Sequence, residues 1–168
     1  MNRFTRLFKH RWHDETDVRR ALPAAALARI ETRVSGSEQA HSGEIRVCVE
    51  AGLPLACLWQ GLHARDRAVA LFGELRVWDT EHNNGVLIYL LLAERAVEIV
   101  ADRGINRHVK PDQWRALIDP MQQAFRDGRF EEGLNQAITA IDGLLREHFA
   151  AAAGAANPDE LPNQPDLR

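Results

Sequence analysis

The sequence has few of the residues that usually carry nucleophilic catalysis or cross-links. It contains two cysteines and one tyrosine in 168 residues, and its serines are Ser35, Ser37 and Ser42. Cys48 and Cys57 form neither a C-x-x-C pair nor a metal-ligand cluster, so we expect a reducing compartment. No serine stands in a nucleophile motif, and the GxSxG, GxxxxGK[ST] and GxGxxG motifs do not occur.

An excess of one charge and a long apolar run are also missing. The chain has 21 basic and 24 acidic residues, a net charge of −3, which argues against a nucleic-acid-binding protein. No stretch reaches the roughly 18 apolar residues of a transmembrane helix, and residues 1–15 lack the apolar segment of a secretory signal. With 45% hydrophobic and 27% charged residues, we expect a cytoplasmic globular protein, with a peripheral position at the inner membrane as an alternative.

Hydrophobic periodicity predicts an α/β fold in which a small mixed sheet, a β-α-β-β core, is covered by helices. Strands are predicted over 44–50, 86–92 and 97–102. Helices are predicted over 22–34, 61–75 and 130–149, with another from Pro111 that is interrupted at Pro120. The crossover makes the first two strands parallel, and the short turn makes the last two antiparallel. A turn centred on Glu94 and Arg95 would place Gly85 opposite Gly104.

The chain divides into a basic segment over 1–20, one domain over 21–149 and a disordered tail over 150–168. The first segment carries six basic and three acidic side chains, a local charge of +3, and apolar residues at Phe4, Leu7, Phe8 and Trp12. Two interpretations remain open. The segment is a frayed terminus that covers part of the core, or it contacts an anionic membrane surface or a membrane-associated protein.

The predicted topology gathers polar residues at one end of the sheet, where the first two strands begin and the third ends. The group comprises Glu44, Asp79, Glu81, Asn83, Asn84 and Asp102, with His41 and His82 nearby. Carboxylate, amide and carbonyl oxygens suit hard cations, so the group predicts a calcium or magnesium site. The alternative is a capped loop end, where Asp and Asn side chains bond to their own backbone.

The string NNGVLIYLLLAERAVEIVADRGI at residues 83–105 resembles the central motif of the TPM domain family. The preceding SGEIRV and the following AFRDGRFEEGL fit the same pattern in order and distance, and the resemblance spans about residues 20–149. It is strongest to a bacterial subgroup of short TPM proteins without a signal peptide or membrane anchor. The resemblance implies a single TPM-like domain.

For function, the resemblance implies calcium binding, membrane-linked roles and, for one plant member, acid phosphatase activity. The family's acidic DNG loop falls on Asn83-Asn84-Gly85, where Asn replaces Asp and removes a negative charge. The family's G-x-G turn falls on Asp102-Arg103-Gly104. Asp102 could restore a carboxylate there, while Arg103 would repel a cation and suit a phosphate or carboxylate. His82, Arg103, Gly85 and Gly104 are therefore candidate ligand-binding residues.

Three function classes follow. The first is an accessory module that binds a divalent cation weakly and acts with a membrane-associated partner. The second is a metal-dependent, phosphatase-like hydrolase, for which the sequence assigns no catalytic residue. The third is an interaction domain without a ligand. We rank the accessory module first, because the family pattern names no nucleophile.

Overall fold

The structure, a computed structural model, describes residues 3–151 and 158–168 and is built on one mixed sheet with strand order β3-β2-β1-β4. The strands are β1 (Glu44–Glu50), β2 (Gly85–Leu91), β3 (Ala96–Ala101) and β4 (Asp166–Leu167). Strand β1 pairs in parallel with both β2 and β4, and β2 pairs antiparallel with β3. The predicted α/β class and β-α-β-β core are therefore confirmed.

Eight helices of the described residues surround this sheet. They are α1 (Arg3–Arg11), α2 (Glu15–Ala21), α3 (Ala24–Glu38), α4 (Leu55–Trp59), α5 (Ala64–Glu74), α6 (Arg103–Asn106), α7 (Pro111–Arg126) and α8 (Phe130–His148). One face of the sheet packs its alternate aliphatic residues against α2, α3, α7 and α8. The other face packs against α5 and against Leu53 and Leu161. No helix within residues 3–151 and 158–168 has the length and hydropathy that a membrane span requires.

Strand β1 has the predicted bounds but differs in burial. Alternation predicts one buried face, whereas all seven residues are buried. Arg46 donates hydrogen bonds to the carbonyls of Pro162 and Gln164. Glu50 accepts hydrogen bonds from Arg67 and from the Tyr89 hydroxyl. Arg46 and Glu50 are thus buried together with specific hydrogen-bond partners.

The β2–β3 hairpin has a different register from the predicted one. Leu91 pairs with Ala96 across a 3₁₀ turn over Leu92–Glu94, and Arg95 closes the turn with φ of 50°. The turn lies one residue earlier than predicted, so Gly85 faces Asp102 and not Gly104, and the Asp102 amide donates to the Gly85 carbonyl.

Two helix predictions are corrected by local geometry. Helix α5 begins at Ala64 rather than near residue 61, because Gly61 has φ of 74° and cannot continue a right-handed helix. Helix α7 runs through the exposed Pro120 without a break. The lost hydrogen bond is offset because Met121, Ala124 and Phe125, which follow, are buried.

Both terminal segments pack on the domain, which the sequence left open for residues 1–20 and did not predict for the C-terminal segment. His10 of α1 and Val18 of α2 are buried. The C-terminal segment, residues 158–168, inserts Leu161 into the core and adds β4 to the sheet. The predicted disordered tail is therefore wrong for this segment, because Leu161 and the β1 edge supply the missing contacts. Residues 152–157 of that prediction lie outside the described residues.

Candidate functional site

The predicted sheet end is formed as expected. Glu44 pairs with Gly85 across β1 and β2, and the Asp102 amide joins β3 to Gly85. The Gly104 amide donates to the Asn83 carbonyl at 2.9 Å. The prediction that the segments at Glu44, Asn83–Asn84 and Asp102–Gly104 lie side by side is thereby confirmed. Backbone pairing in the sheet holds these segments together and requires no ligand.

Asn84 ties three segments of this sheet end together. Its side chain is buried, and its Nδ2 donates to the Ser42 carbonyl at 3.0 Å and to the Ser42 Oγ at 3.1 Å. Its backbone amide donates to Thr80 Oγ1. Its Oδ1 is buried without a hydrogen-bond partner. Asn84 thus has a structural role and also offers one spare buried oxygen.

The Arg103 side chain contacts the loop that precedes β2. Its Nε donates to Asn83 Oδ1 at 2.8 Å, and its backbone amide donates to Asp102 Oδ1 at 2.6 Å. Asp102 caps α6 in this way, and its Oδ2 is buried without a partner. Asn83 has φ of 54°, a left-handed conformation that asparagine tolerates. These contacts agree with the capped-loop interpretation and leave one oxygen each on Asn84 and Asp102.

The two candidate ligand-binding glycines allow close packing of the backbone. A Cβ atom on Gly85 would lie 2.0 Å from the Val77 carbonyl oxygen, and one on Gly104 would lie 2.4 Å from the Asn83 carbonyl oxygen. Backbone carbonyl groups therefore occupy the space that the missing side chains leave. Only glycine fits at either position.

The remaining loop residues Asp79, Glu81 and His82 are exposed. The Glu81 backbone amide donates to a carboxylate oxygen of Glu160 at 3.0 Å. The loop is therefore joined to the C-terminal segment at its backbone, while the side chains of Asp79, Glu81 and His82 face outward.

Close to this sheet end, three carboxylates meet that come from distant parts of the chain. Glu38 ends α3, Glu44 begins β1, and Asp159 belongs to the C-terminal segment. One carboxylate oxygen from each lies within 4.8 Å of the other two. We call these three residues the carboxylate pocket. Glu38 and Glu44 are buried, whereas Asp159 is exposed and lines a surface groove beside α3, which gives the pocket a route to solvent.

Hydrogen bonds orient the pocket but leave oxygens available. Glu38 Oε1 accepts from the Ile45 amide at 3.0 Å, and Glu44 Oε2 accepts from the Leu161 amide at 3.2 Å. Glu44 Oε1 is buried and has no hydrogen-bond partner. The Asn163 side chain hydrogen-bonds to Glu38 and, through Nδ2, to Asp159, while its Oδ1 is buried and unpartnered.

Burial disfavours the charged form of both glutamates. Desolvation raises the pKa of Glu38 to about 8, with Glu44 and Asp159 as additional repulsive charges. Desolvation likewise raises the pKa of Glu44 to about 7, and the charges of Asp159 and Glu160 add to the effect. At neutral pH the pocket therefore holds protons that a cation could replace.

Sequence reasoning found Glu44 but missed Glu38, Asp159 and Asn163. Glu38 lies in a polar stretch after the predicted helix, and the other two lie in the presumed tail. The one available signal was Leu161, a large apolar residue between Pro158 and Pro162. Such a residue in a polar stretch can anchor it to a core.

Comparison with known proteins agrees with this architecture. The sequence model described as the TPM domain matches residues 16–144. The chain is similar to the NMR structure of the BA42 protein from the psychrophilic bacterium Bizionia argentinensis, with 31% identity, a TM-score of 0.76, and coverage of 88% of this chain and 95% of that one.

The fold is also similar to the NMR structure of the N-terminal domain of a protein from P. gingivalis, with 22% identity, a TM-score of 0.61, and coverage of 78% of this chain and 82% of that one. No curated protein matches the chain. The matched family model and the 31% identical structure together show that the chain belongs to the TPM domain family.

Proposed function

We propose that this TPM-domain protein is an accessory module that binds one divalent cation, calcium or magnesium, in the carboxylate pocket. The observation that carries the proposal is Glu44 Oε1, a buried oxygen without a hydrogen-bond partner beside Glu38 and Asp159. A buried carboxylate is stable only when it is protonated, paired or bound to a metal. A cation would compensate three carboxylates at once.

The chemistry of the donors favours a hard cation. Calcium takes six to eight oxygen ligands from carboxylates, amides and water. The pocket offers three carboxylates, and Asn163 Oδ1 provides a further oxygen nearby. Because protons compete for Glu38 and Glu44, we expect weak binding, with a Kd of roughly 10⁻⁴–10⁻³ M.

The loop set predicted from the sequence is the alternative location. Asn84 Oδ1 and Asp102 Oδ2 are buried without partners and lie at the same sheet end. Asp79, Glu81, Asn83 and the ligand-binding roles of His82 and Arg103 remain predictions for that location. The two sites share Glu44, so variants of the other residues distinguish them.

The phosphatase-like hydrolase remains a second prediction. Cation binding alone supplies charge neutralisation, but a phosphatase also needs a positioned nucleophile and an acid. The three residues of the carboxylate pocket supply acids, and none of them carries a hydroxyl or thiol nucleophile. We therefore rank the accessory role, with a membrane-associated partner, above hydrolysis.

Calorimetric titration of the EDTA-treated full chain with Ca²⁺ and with Mg²⁺ tests the proposal. We expect one site, and we expect the substitutions Glu38→Gln and Asp159→Asn each to weaken binding about tenfold or more. Binding should strengthen from pH 6.5 to 8, because both glutamates then lose their competing protons.

Matched variants distinguish the pocket from the loop. Glu81→Gln removes a predicted loop ligand, and Glu147→Gln removes an exposed charge elsewhere. Both should leave the Kd nearly unchanged. Loss of binding in Glu81→Gln with full binding in Asp159→Asn would place the cation in the loop and contradict the pocket.

A further inference from the structure

The outer face of helix α1 exposes two large aromatic side chains. Phe8 is 65% exposed and Trp12 is 80% exposed. The Trp12 amide donates to the Phe8 carbonyl, so Trp12 continues the helical spacing and lies one turn beyond Phe8 on the same side. With Thr5, Lys9 and His13 they line a shallow depression. Soluble domains seldom expose adjacent aromatics without a binding role.

The inner face of α1 is fixed to the domain. Arg6 Nε donates to Glu94 Oε1 at 2.8 Å, and Arg6 Nη2 donates to the Leu62 carbonyl at 2.7 Å. The buried His10 ring bonds to Glu94 and accepts from the Leu53 amide. The helix is therefore not a frayed terminus, and its outer face is presented in a fixed orientation.

Basic side chains flank the aromatic pair. At 100° per residue, Arg11 and Lys9 fall on opposite sides of the line that joins Phe8 and Trp12. Both are exposed, and neither forms an ion pair with the residues that the structure describes. The basic residues of α2 differ from these two, because Arg19 forms an ion pair with Glu15 and Arg20 forms one with Asp17.

Helix α4 contacts α1 and exposes two further large apolar side chains. Its Leu55 is 50% exposed and its Trp59 is 71% exposed. We call Phe8, Trp12, Leu55 and Trp59, with Lys9 and Arg11, the α1–α4 face. It combines aromatic rings, which favour the lipid headgroup level, with bases that attract anionic headgroups.

We infer that the α1–α4 face docks the protein on an anionic lipid surface. Charge complementarity argues for this occupant, because the exposed Lys9 and Arg11 make this face basic while the whole chain carries −3. The rest of the molecule therefore carries a negative charge that an anionic membrane repels, which orients α1 toward the lipid. A shallow face with bases at its sides suits a headgroup layer, into which an interfacial helix sinks only its apolar side. This inference is independent of the cation proposal.

Co-sedimentation of the full chain with vesicles of phosphatidylserine and phosphatidylcholine tests the inference. We expect binding that weakens as NaCl rises from about 50 to 500 mM. The double substitution Phe8→Ser/Trp12→Ser should reduce partitioning about tenfold or more. Lys9→Gln/Arg11→Gln should reduce it about 30-fold at low salt, from about 1 kcal/mol per base.

Control variants carry changes of the same kind elsewhere in the molecule. Arg107→Gln/Lys110→Gln makes the same change in net charge, and Trp78→Ser removes a 52% exposed tryptophan. Both should bind vesicles like the unaltered protein. Equal loss in these controls would overturn the inference, because attraction would then be unspecific. Lack of vesicle binding would also overturn the inference. So would a dimer of the protein that dissociates only in the Phe8→Ser/Trp12→Ser variant, because the α1–α4 face would then join two copies of the chain.

Discussion

Sheet pairing buries Glu44, and burial is unfavourable for a carboxylate side chain. As the first residue of β1 it pairs with Gly85, and the sheet holds it 0% exposed. One oxygen is satisfied by the Leu161 amide and the other is not. Leaving a buried acceptor unsatisfied costs about 1–3 kcal/mol. The cation that we propose would bind this oxygen and remove that cost.

Residue-level reasoning located one of the three carboxylates of the candidate site. Period-2 alternation and the crossover rule placed Glu44 at the sheet end, because both depend on local sequence. Asp159 could not be placed, since its position depends on how the C-terminal segment packs more than 100 residues away. Glu38 was missed because α3 continues beyond the predicted end at Val34, through Ser35, Gly36 and Ser37, residues that usually stop helices.

Gly85 provides a residue-scale prediction. Gly85→Ala should lower the free energy of unfolding by about 3 kcal/mol, because the new Cβ would lie 2.0 Å from the Val77 carbonyl oxygen. Gly36→Ala is the matched control, since nothing lies within 4 Å of its Cβ position in α3. It should stabilise by about 0.5–1 kcal/mol. Urea unfolding measures both, and equal stability of the two variants would contradict the close packing.

At the scale of elements, the C-terminal segment is both a strand and part of the site. Its β4 pairs with β1, Leu161 fills the core, and Asp159 reaches the carboxylate pocket. The family model ends at residue 144, so this segment lies outside the matched region. In this chain, cation binding would therefore be coupled to docking of the segment.

The rate at which a thiol reagent modifies Cys48 can measure this coupling. Its side chain is 0% exposed under β4, its Sγ lies 3.5 Å from Asp166 Oδ2, and burial raises the pKa of its thiol. In a Cys57→Ser background, a thiol reagent should therefore modify Cys48 only after the segment opens. Ca²⁺ at ten times its Kd should slow the reaction about tenfold, because the cation binds the closed form.

Asp159→Asn is the control for this measurement, since it removes the ligand that the segment supplies. In this variant Ca²⁺ should leave the Cys48 reaction rate unchanged. A rate in the Cys57→Ser protein that does not respond to Ca²⁺ would mean that the segment and the cation are independent.

The main elements could be predicted, whereas the peripheral ones could not. Strand β1 and helix α8 have strong periodicity, and their predicted bounds agree with the structure to within one residue. Strand β4 has two residues, too few for any pattern, and it forms because β1 presents a free edge. Helix α1 depends on His10 and Arg6 reaching Glu94, a contact over more than 80 residues that local sequence does not reveal.

At the scale of the whole molecule, the pocket predicts how stability depends on pH. Glu38 and Glu44 have raised pKa values in the folded state, about 8 and about 7, because of burial. The folded protein therefore binds more protons than the unfolded chain between about pH 4.5 and 8, and its stability falls as pH rises through that range.

Unfolding between pH 6.5 and 8 isolates this effect. The lowered pKa of buried His41 acts below 6.5, and the lowered pKa of Glu94, held by His10 and Arg6, acts between about pH 2 and 4.5. Without metal, the free energy of unfolding should fall by roughly 2 kcal/mol over this interval. Glu38→Gln/Glu44→Gln should abolish the fall, and saturating Ca²⁺ should reduce it. A flat profile in the unaltered protein would contradict the raised pKa values.

The most direct test of the cation proposal is a crystal structure of the full chain grown with Mn²⁺ in place of Ca²⁺. Anomalous scattering from Mn²⁺ locates the ion without reference to any assumed ligand. The account predicts one anomalous peak between Glu38, Glu44 and Asp159, with carboxylate oxygens as its ligands. A peak at Asn84 and Asp102 with the carboxylate pocket empty would contradict it.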